Sequence, residues 1–491
     1  MQGEYRGDFT RDTFNPLKHF SRVLMQQGRV QLDADWNEQT SILLHYLQTL
    51  AADLIGPHGG PEGNCGFEIK EENGLLNDFR IDTGRYYVEG ILCENDLRQP
   101  DAKPIKYSAQ PDYPLPMKDG KPDLLSQGTY LVYLDLWERH VTYAQDEDKD
   151  QNDPSIREVA LNGPDTATRA KVVWQVRAMK TSLQISDLKT QDPDTDYQKF
   201  LTELSAQNLV KPGTRHLSAR AKKAESDGDA CCASPQSRYR GPENQLYRVE
   251  IHRNGAAWRG DDANKSSAAT FKWSRENASV VFPIRNLVPG SDGRTTVSLE
   301  SWGRDTLHSL KEGDWVEIVD DDYILQSPKE PLLRVDTINR DDIEVVLEGT
   351  TTNQVGQNPA KHPLLRRWDH KGRDPAKGGL VLNEGAALVV EPTTTDDAWL
   401  TLEDGVQIQF QQPAQGQSSN QYRTGDYWLI PARVATGDVE WPGPVDNPDS
   451  LPPHGVQHYY APLWIISVDS SGTVTAAPGG DCRRKITPVT T

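Results

Sequence analysis

The sequence predicts a mainly β, multi-domain chain of small sandwiches or barrels, preceded by an N-terminal extended arm and an amphipathic α-helix. Three observations carry that prediction. The chain has 491 residues, and a single core stops growing near about 250–300 residues, so roughly two to four domains are expected. From residue 61 onward, short runs rich in Val, Ile, Tyr and Trp alternate or read as buried strands. The clearest helical spacing falls within the first 60 residues.

That first segment, 1–60, divides in two. The stretch MQQGRVQLDAD mixes Arg22, Gln26, Gln27, Arg29 and Gln31 with Val23, Leu24, Val30 and Leu32, and Gly28 supplies a permissive turn. Alternation of this kind suits an arm laid on another protein, and equally an edge strand of its own domain. A helix follows through NEQTSILLHYLQTLAADLI, and Gly56-Pro57 ends it. Asp35 with Glu38 three residues later reads as a capping box. Trp36, Leu43 and Leu50 are seven apart, and Thr40, Leu47 and Leu54 form a second series. Together they trace an a/d seam that Ile42, Leu44 and Tyr46 widen. The seam suits packing on the helix's own domain, or an interface with a partner.

The β signals then run in order. FEIK, FRIDTGRYYVEGILCE, TYLVYLDLWERHVTY and RAKVVWQVRAMKTSLQI define a β-domain over 61–187. Residues 188–235 read as a polar insertion or linker holding one short helix, and the basic cluster from Arg215 to Lys223 within it reads as a solvated loop. A second β-domain covers 236–350, and a third, with a C-terminal tail, covers 351–491. Gly313-Asp314-Trp315 echoes Gly425-Asp426-Tyr427-Trp428, a hint of two related β-units. The twelve tryptophans read as core plugs rather than sugar platforms.

Charge and motifs exclude several functions. With 72 acidic against 53 basic residues the net charge is −19, and no basic stripe offers itself to nucleic-acid phosphates. No window nears the roughly 20 apolar residues that span a bilayer, and the polar start carries acids, unlike a secretory signal; maturation in the cytoplasm is expected. Cys65, Cys93, Cys231, Cys232 and Cys482 form no disulfide framework and no CxxC. His454 and His458 stand four apart but in a loop-like context, and no metal site is expected there. Asp146, Asp148, Asp150 and Asp153 resemble a calcium loop, yet Gln151 and Arg157 replace the required Gly and acid. Glu250 and His252 are read as lying on opposite faces of a strand, with the histidine structural. No phosphate loop, dinucleotide fingerprint or nucleophile elbow is present. Neither catalytic residues nor a cofactor are expected.

The opening DFTRDTFNPLKHFSRVLMQQGRVQLDADWNEQ resembles a bacterial and archaeal domain-of-unknown-function family. YLVYLDLWERHVTY, IREVALNGPDTATRAKVVWQVR, YRGPENQLYRVEIH, ATFKWSRENASVVFPI and GDYWLIPARV resemble its recurring blocks, so the likeness spans nearly the whole chain. That family is associated with contractile injection systems, the phage-tail-like particles. The N-terminus, with Trp36-Asn37-Glu38-Gln39 opening the helix, is also similar to attachment segments of phage baseplate and tail-fibre proteins. The resemblance implies a non-enzymatic structural component peripheral to the baseplate: a cage, shell or fibre element, assembled in the bacterial cytoplasm into a particle later released or anchored. Its implied partners are baseplate or sheath subunits and further copies of itself, in three- or six-fold symmetry. Arg22, Gln26, Gln27, Arg29, Trp36, Leu43, Leu47, Leu50 and Leu54 are the candidate partner-binding residues. A glycan-binding recognition protein and a cell-wall hydrolase are the alternatives. Removing residues 1–56 is expected to leave a folded β-body.

Overall fold

The computed structural model describes residues 5–96, 104–118, 120–146, 156–158, 160, 166–190, 192–207, 215–222, 238–261, 263–303, 305, 308–326, 330–352, 354–372, 379–393, 398–413 and 419–487. Strands hold 37% of residues and helices 16%, so the mainly β prediction stands. Cys231, Cys232 and most of the Asp146–Asp153 loop lie outside the described residues.

Two long hairpin strands, Gly128–Val141 and Arg169–Lys180, pair antiparallel along their length. Both faces of Gly128–Val141 are buried, which is why it reads as a near-continuous apolar run rather than an alternation. Val132, Leu134 and Leu136 face a core shared with Phe67, Tyr86 and Val88. Leu131 and Tyr133 face Tyr197, Phe200 and Leu204 of the helix Pro193–Ala206. The other edge of this strand takes Tyr459–Val468, more than 300 residues away in sequence.

The second body is a sandwich. Its larger sheet holds Thr270–Ser274, Gln245–Arg253 and Tyr427–Arg433 at the centre. Its smaller sheet holds Leu217–Ala221, Val406–Phe410 and Leu400–Thr401. Side chains from both sheets, among them Ala219, Ile408, Phe410, Val249, Phe271 and Trp428, fill the space between. The third body is a closed six-stranded barrel: Val281–Pro289, Arg294–Leu299, Glu344–Glu348, Leu333–Asn339, Trp315–Val319 and Leu364–Trp368. Val297, Ile318, Val335, Leu347 and Leu365 plug it.

Several sequence expectations are corrected here. Arg215 to Lys223 is not simply a solvated loop. Leu217, Ala219 and Ala221 are fully buried in a strand, and Arg215 is buried against Asp426. Small residues alternate there with Ser and Arg, so the apolar signal is weak although the burial is complete. The Gly-Asp echo marks two left-handed turns, φ 87° at Gly313 and 89° at Gly425. They lead into a barrel and a sandwich sheet of different strand order, so the echo reflects turn chemistry and not a repeated unit. Of the twelve tryptophans, Trp36 alone is exposed, and the others are buried or half-buried.

The N-terminal helix, α1, spans Asp33–Ile55. It starts two residues before Asp35, with Leu32 at the cap position and no side-chain cap, so the capping box is absent. Asp33 instead accepts from both the backbone N–H and the hydroxyl of Thr10. Asp33 and Asp35 also place negative charge in the first turn, where the helix dipole favours it. Gly56, at φ 85°, ends α1 by donating its N–H to the Ala52 carbonyl at 2.8 Å.

Candidate docking surface

The first described residues, Tyr5 to Gly7, are held in the body. Tyr5 donates its hydroxyl to Glu138 at 2.7 Å, and Arg6 donates to both oxygens of Glu250 at 3.1 Å. The Tyr5 carbonyl accepts from Arg248 and Asn277, and Asn277 also donates to the Gly7 carbonyl at 2.9 Å. This root enters a buried ionic cluster. Glu250 also pairs with Arg248 at 2.6 Å and Lys272 at 3.4 Å, and Lys272 reaches Glu317 at 2.6 Å. Trp368 and Tyr323 donate to Glu317 as well. The cluster therefore joins the arm to the sandwich and the barrel.

Burial and charge compete in this cluster, and charge wins at the carboxylates. Burial pushes Glu250 up, but Arg6, Arg248 and Lys272 hold it well below the usual carboxylate range. Glu317 is likewise pushed up by burial, yet Lys272 and Arg366 bring it down to about 2. At His140 burial and charge act together. Burial, then Arg366, Arg6, Arg248 and Arg139, lower it to about 3, so its ring is neutral. Glu250 and His252, expected on opposite faces, both lie beside Lys272, with a register irregularity falling between Ile251 and Arg253. Burial, and then Lys272 of the same cluster, lower His252 to about 3.

Beyond Gly7 the chain emerges. Arg11 pairs with Glu440, and Arg433 donates to the Thr10 carbonyl. Thr13 donates to Glu38 at 2.6 Å, the Val23 N–H donates to the Gln39 side chain at 2.8 Å, and Phe14 lies 5.9 Å from His45. The arm thus follows one flank of α1. Between these two elements and the body lies a cavity of about 1520 Å³, lined among others by Phe14, His45, Arg169, Glu276 and Tyr459. The helix touches the body through few groups: Ala34 and Ile42 are its buried residues. Its backbone also presses on the turn at Gly90, where a Cβ would fall 2.0 Å from the Gln48 carbonyl oxygen.

Most of the apolar seam, Leu43, Leu47, Leu50 and Leu54, faces away from that cavity, while Trp36, Thr40 and Leu44 border it. Successive helical residues turn by about 100°, so Trp36, Leu43, Leu47, Leu50 and Leu54 fall within an arc of about 60°, roughly opposite Ala34 and about 110° round from Ile42. Trp36 is 77% exposed and Leu54 75%. The sequence alone left two readings for this seam, and in the structure it is not packed on the chain's own body. Ile42, read as widening the seam, lies instead on the body side. Thirteen of the nineteen exposed large hydrophobic residues among those described lie between Leu17 and Leu54. Isolated exposed apolar side chains are ordinary, whereas a continuous set of this kind marks an interaction surface.

Over residues 5–206 and 196–475 the sequence matches the model of a family of unknown function, DUF6519. The chain belongs to that family. No curated protein matches this DUF6519 member. Among solved structures, the crystal structure of TssK is matched at 9% identity over 71% of this chain and 96% of that one, with a TM-score of 0.15. A superposition at that level says nothing about fold or role.

All nine sequence-predicted residues of this DUF6519 chain lie in one N-terminal segment and are exposed: Arg22, Gln26, Gln27 and Arg29 on the arm, and Trp36, Leu43, Leu47, Leu50 and Leu54 on α1. Sequence reasoning missed Leu17, Phe20 and Met25, which are exposed on the same arm. It also missed Tyr5, Arg6 and Gly7, whose burial depends on partners more than 130 residues away and leaves no local signal. Elsewhere, His458 bonds Asp135 at 2.6 Å and stacks on Trp137, while His454 packs on Tyr427, so the two histidines serve different neighbours. Among the described residues no three His, Cys, Asp or Glu side chains converge as metal ligands, and no helix is long and apolar enough to cross a membrane.

Proposed function

We propose that this protein is a non-enzymatic structural component of a contractile injection system. It sits peripheral to the baseplate as a cage, shell or fibre element and is docked by its N-terminal arm and helix. One observation carries the docking: the apolar face of α1 and the arm are turned to solvent on a segment whose root is locked into the body. A segment with so much exposed apolar surface gains by being covered, at about 25 cal/mol per Å² removed from water. The fixed root means that whatever covers it is held rigidly to the β-body. The family resemblance supplies the setting, a particle assembled in the cytoplasm from baseplate and sheath subunits. Support for a structural role also comes from the tryptophans: nine of the twelve sit in or against a hydrophobic core, and the exposed one, Trp36, is on the docking helix itself.

The test is to purify phage-tail-like particles from producing cells and quantify their subunits by mass spectrometry. The protein is expected in a fixed ratio to baseplate subunits. Finding it only in the particle-free fraction overturns the reading.

A further inference from the structure

We infer that the occupant of the α1 stripe is a second copy of this chain, and that the contact is arm on helix: residues 17–32 of one copy cover the apolar face of α1 in the next. The inference rests on the docking reading above and names its partner.

Charge selects this pairing. Residues 13–32 carry Lys18, Arg22 and Arg29 and no acid, whereas residues 33–55 carry Asp33, Asp35, Glu38 and Asp53 and no Lys or Arg. One short segment therefore joins a basic half to an acidic half. Within a single copy the two halves do not neutralise each other. Among the described residues Lys18, Arg22 and Arg29 form no ion pair, and Lys18 rests over the Phe20 ring instead. Helix against helix would bring Asp35 and Asp53, which flank the stripe, toward the same acids of the other copy in a molecule already at −19. Arm against arm would do the same with cations. Arm against helix brings unlike charges together, which sets register and partner choice more than it adds affinity.

Apolar surface and length agree with that choice. The arm exposes Leu17, Phe20, Leu24, Met25, Val30 and Leu32, with Val30 at 81%. From Trp36 to Leu54 the stripe is about 27 Å long at 1.5 Å per residue. Sixteen residues of arm reach up to about 50 Å when extended, so one arm can follow the whole stripe. The arm of the same copy does not do this: Thr13, Phe14 and Val23 hold it along the flank of α1, and the stripe stays open. Each copy then offers one arm and one stripe. That contact is heterologous, and it closes into a ring if the rotation between copies permits.

Sedimentation velocity on the full chain tests this, with circular dichroism confirming the fold of each variant. Wild type is expected to form a closed oligomer that weakens as salt rises. R22E/R29E and D35K/D53K should each weaken assembly at least tenfold. The combined variant R22E/R29E/D35K/D53K, with both charges reversed, should recover the wild-type oligomer. A monomeric wild type overturns the inference, and so does an oligomer indifferent to R22E/R29E, or a combined variant that stays monomeric. If wild type is monomeric while stripe variants still fail to join particles, self-pairing is wrong and the docking reading stands. If the charge series behaves as expected while stripe variants join particles normally, self-pairing stands and the docking reading falls.

Discussion

Arg6 is a surface-type residue from the second pentapeptide of the chain, yet it ends beside Glu250 in the interior. Glu250→Ala leaves Arg6, Arg248 and Lys272 sharing one fewer buried carboxylate. Breaking a buried pair from one side costs about 3–5 kcal/mol, so chemical denaturation of this variant should show a loss of that order. The same cluster fixes the response to acid. Glu317, at about 2, sits below its unfolded value, so its contribution is present above roughly pH 4.5 and is lost as pH falls toward 2. His140 and His252, at about 3, are depressed as well, and their contribution is full above roughly pH 6.5 and declines below it. Burial raises Glu276 to about 7, which acts in the opposite sense between its two values. With His58 at about 3, His370 at about 4 and His454 at about 4 adding to the depressed set, the melting temperature should fall steadily from pH 6.5 to pH 3. A flat profile would contradict the burial assigned to these rings. None of this was legible in the sequence: Glu250 reads there as one acid among 72, because what holds it buried is Arg6 from the N-terminus and Lys272 from the neighbouring strand, beside Arg248 of its own strand.

The helix α1 shows what local sequence can and cannot say. Its existence and its Gly56 stop follow from spacing and backbone chemistry, and both are present in the structure. Its start was misread because Asp33, held by Thr10, outcompetes an Asp35 cap, and Thr10 is tied there by tertiary contacts. The direction of the seam could not be read at all, since periodicity defines a face and not what it faces. Two substitutions separate the sides. Leu47→Asp with Leu54→Asp changes only solvated positions and should shift stability by no more than about 0.5 kcal/mol each. Gly90→Ala puts a methyl group against the Gln48 carbonyl at a residue with φ 76°. It should cost about 1–3 kcal/mol of strain and speed hydrogen exchange across 33–55. The strand Leu217–Ala221 makes the complementary point: small alternating residues carry little hydrophobic signal, yet their partner Val406–Phe410 buries them completely.

At the scale of the molecule, the strand-like runs indicated the β class, but not how the strands are assembled. Tyr459–Val468 completes a sheet begun at Gly128, and Lys485–Ile486 pairs with His58–Pro61. Such pairings join distant segments, and no window of sequence contains both partners. The buried root also changes how the docking segment must be tested. Removing residues 1–56 takes Arg6 away from Glu250, so that truncation perturbs the β-body as well as the docking face and does not isolate attachment. Point changes on the outward stripe avoid this. The decisive measurement is the amount of Leu47→Asp/Leu54→Asp protein that co-sediments with particles from cells producing it in place of wild type. The expected result is a folded, soluble variant absent from the particles. Recovery in the particles at the wild-type ratio would contradict docking through the N-terminal arm and helix.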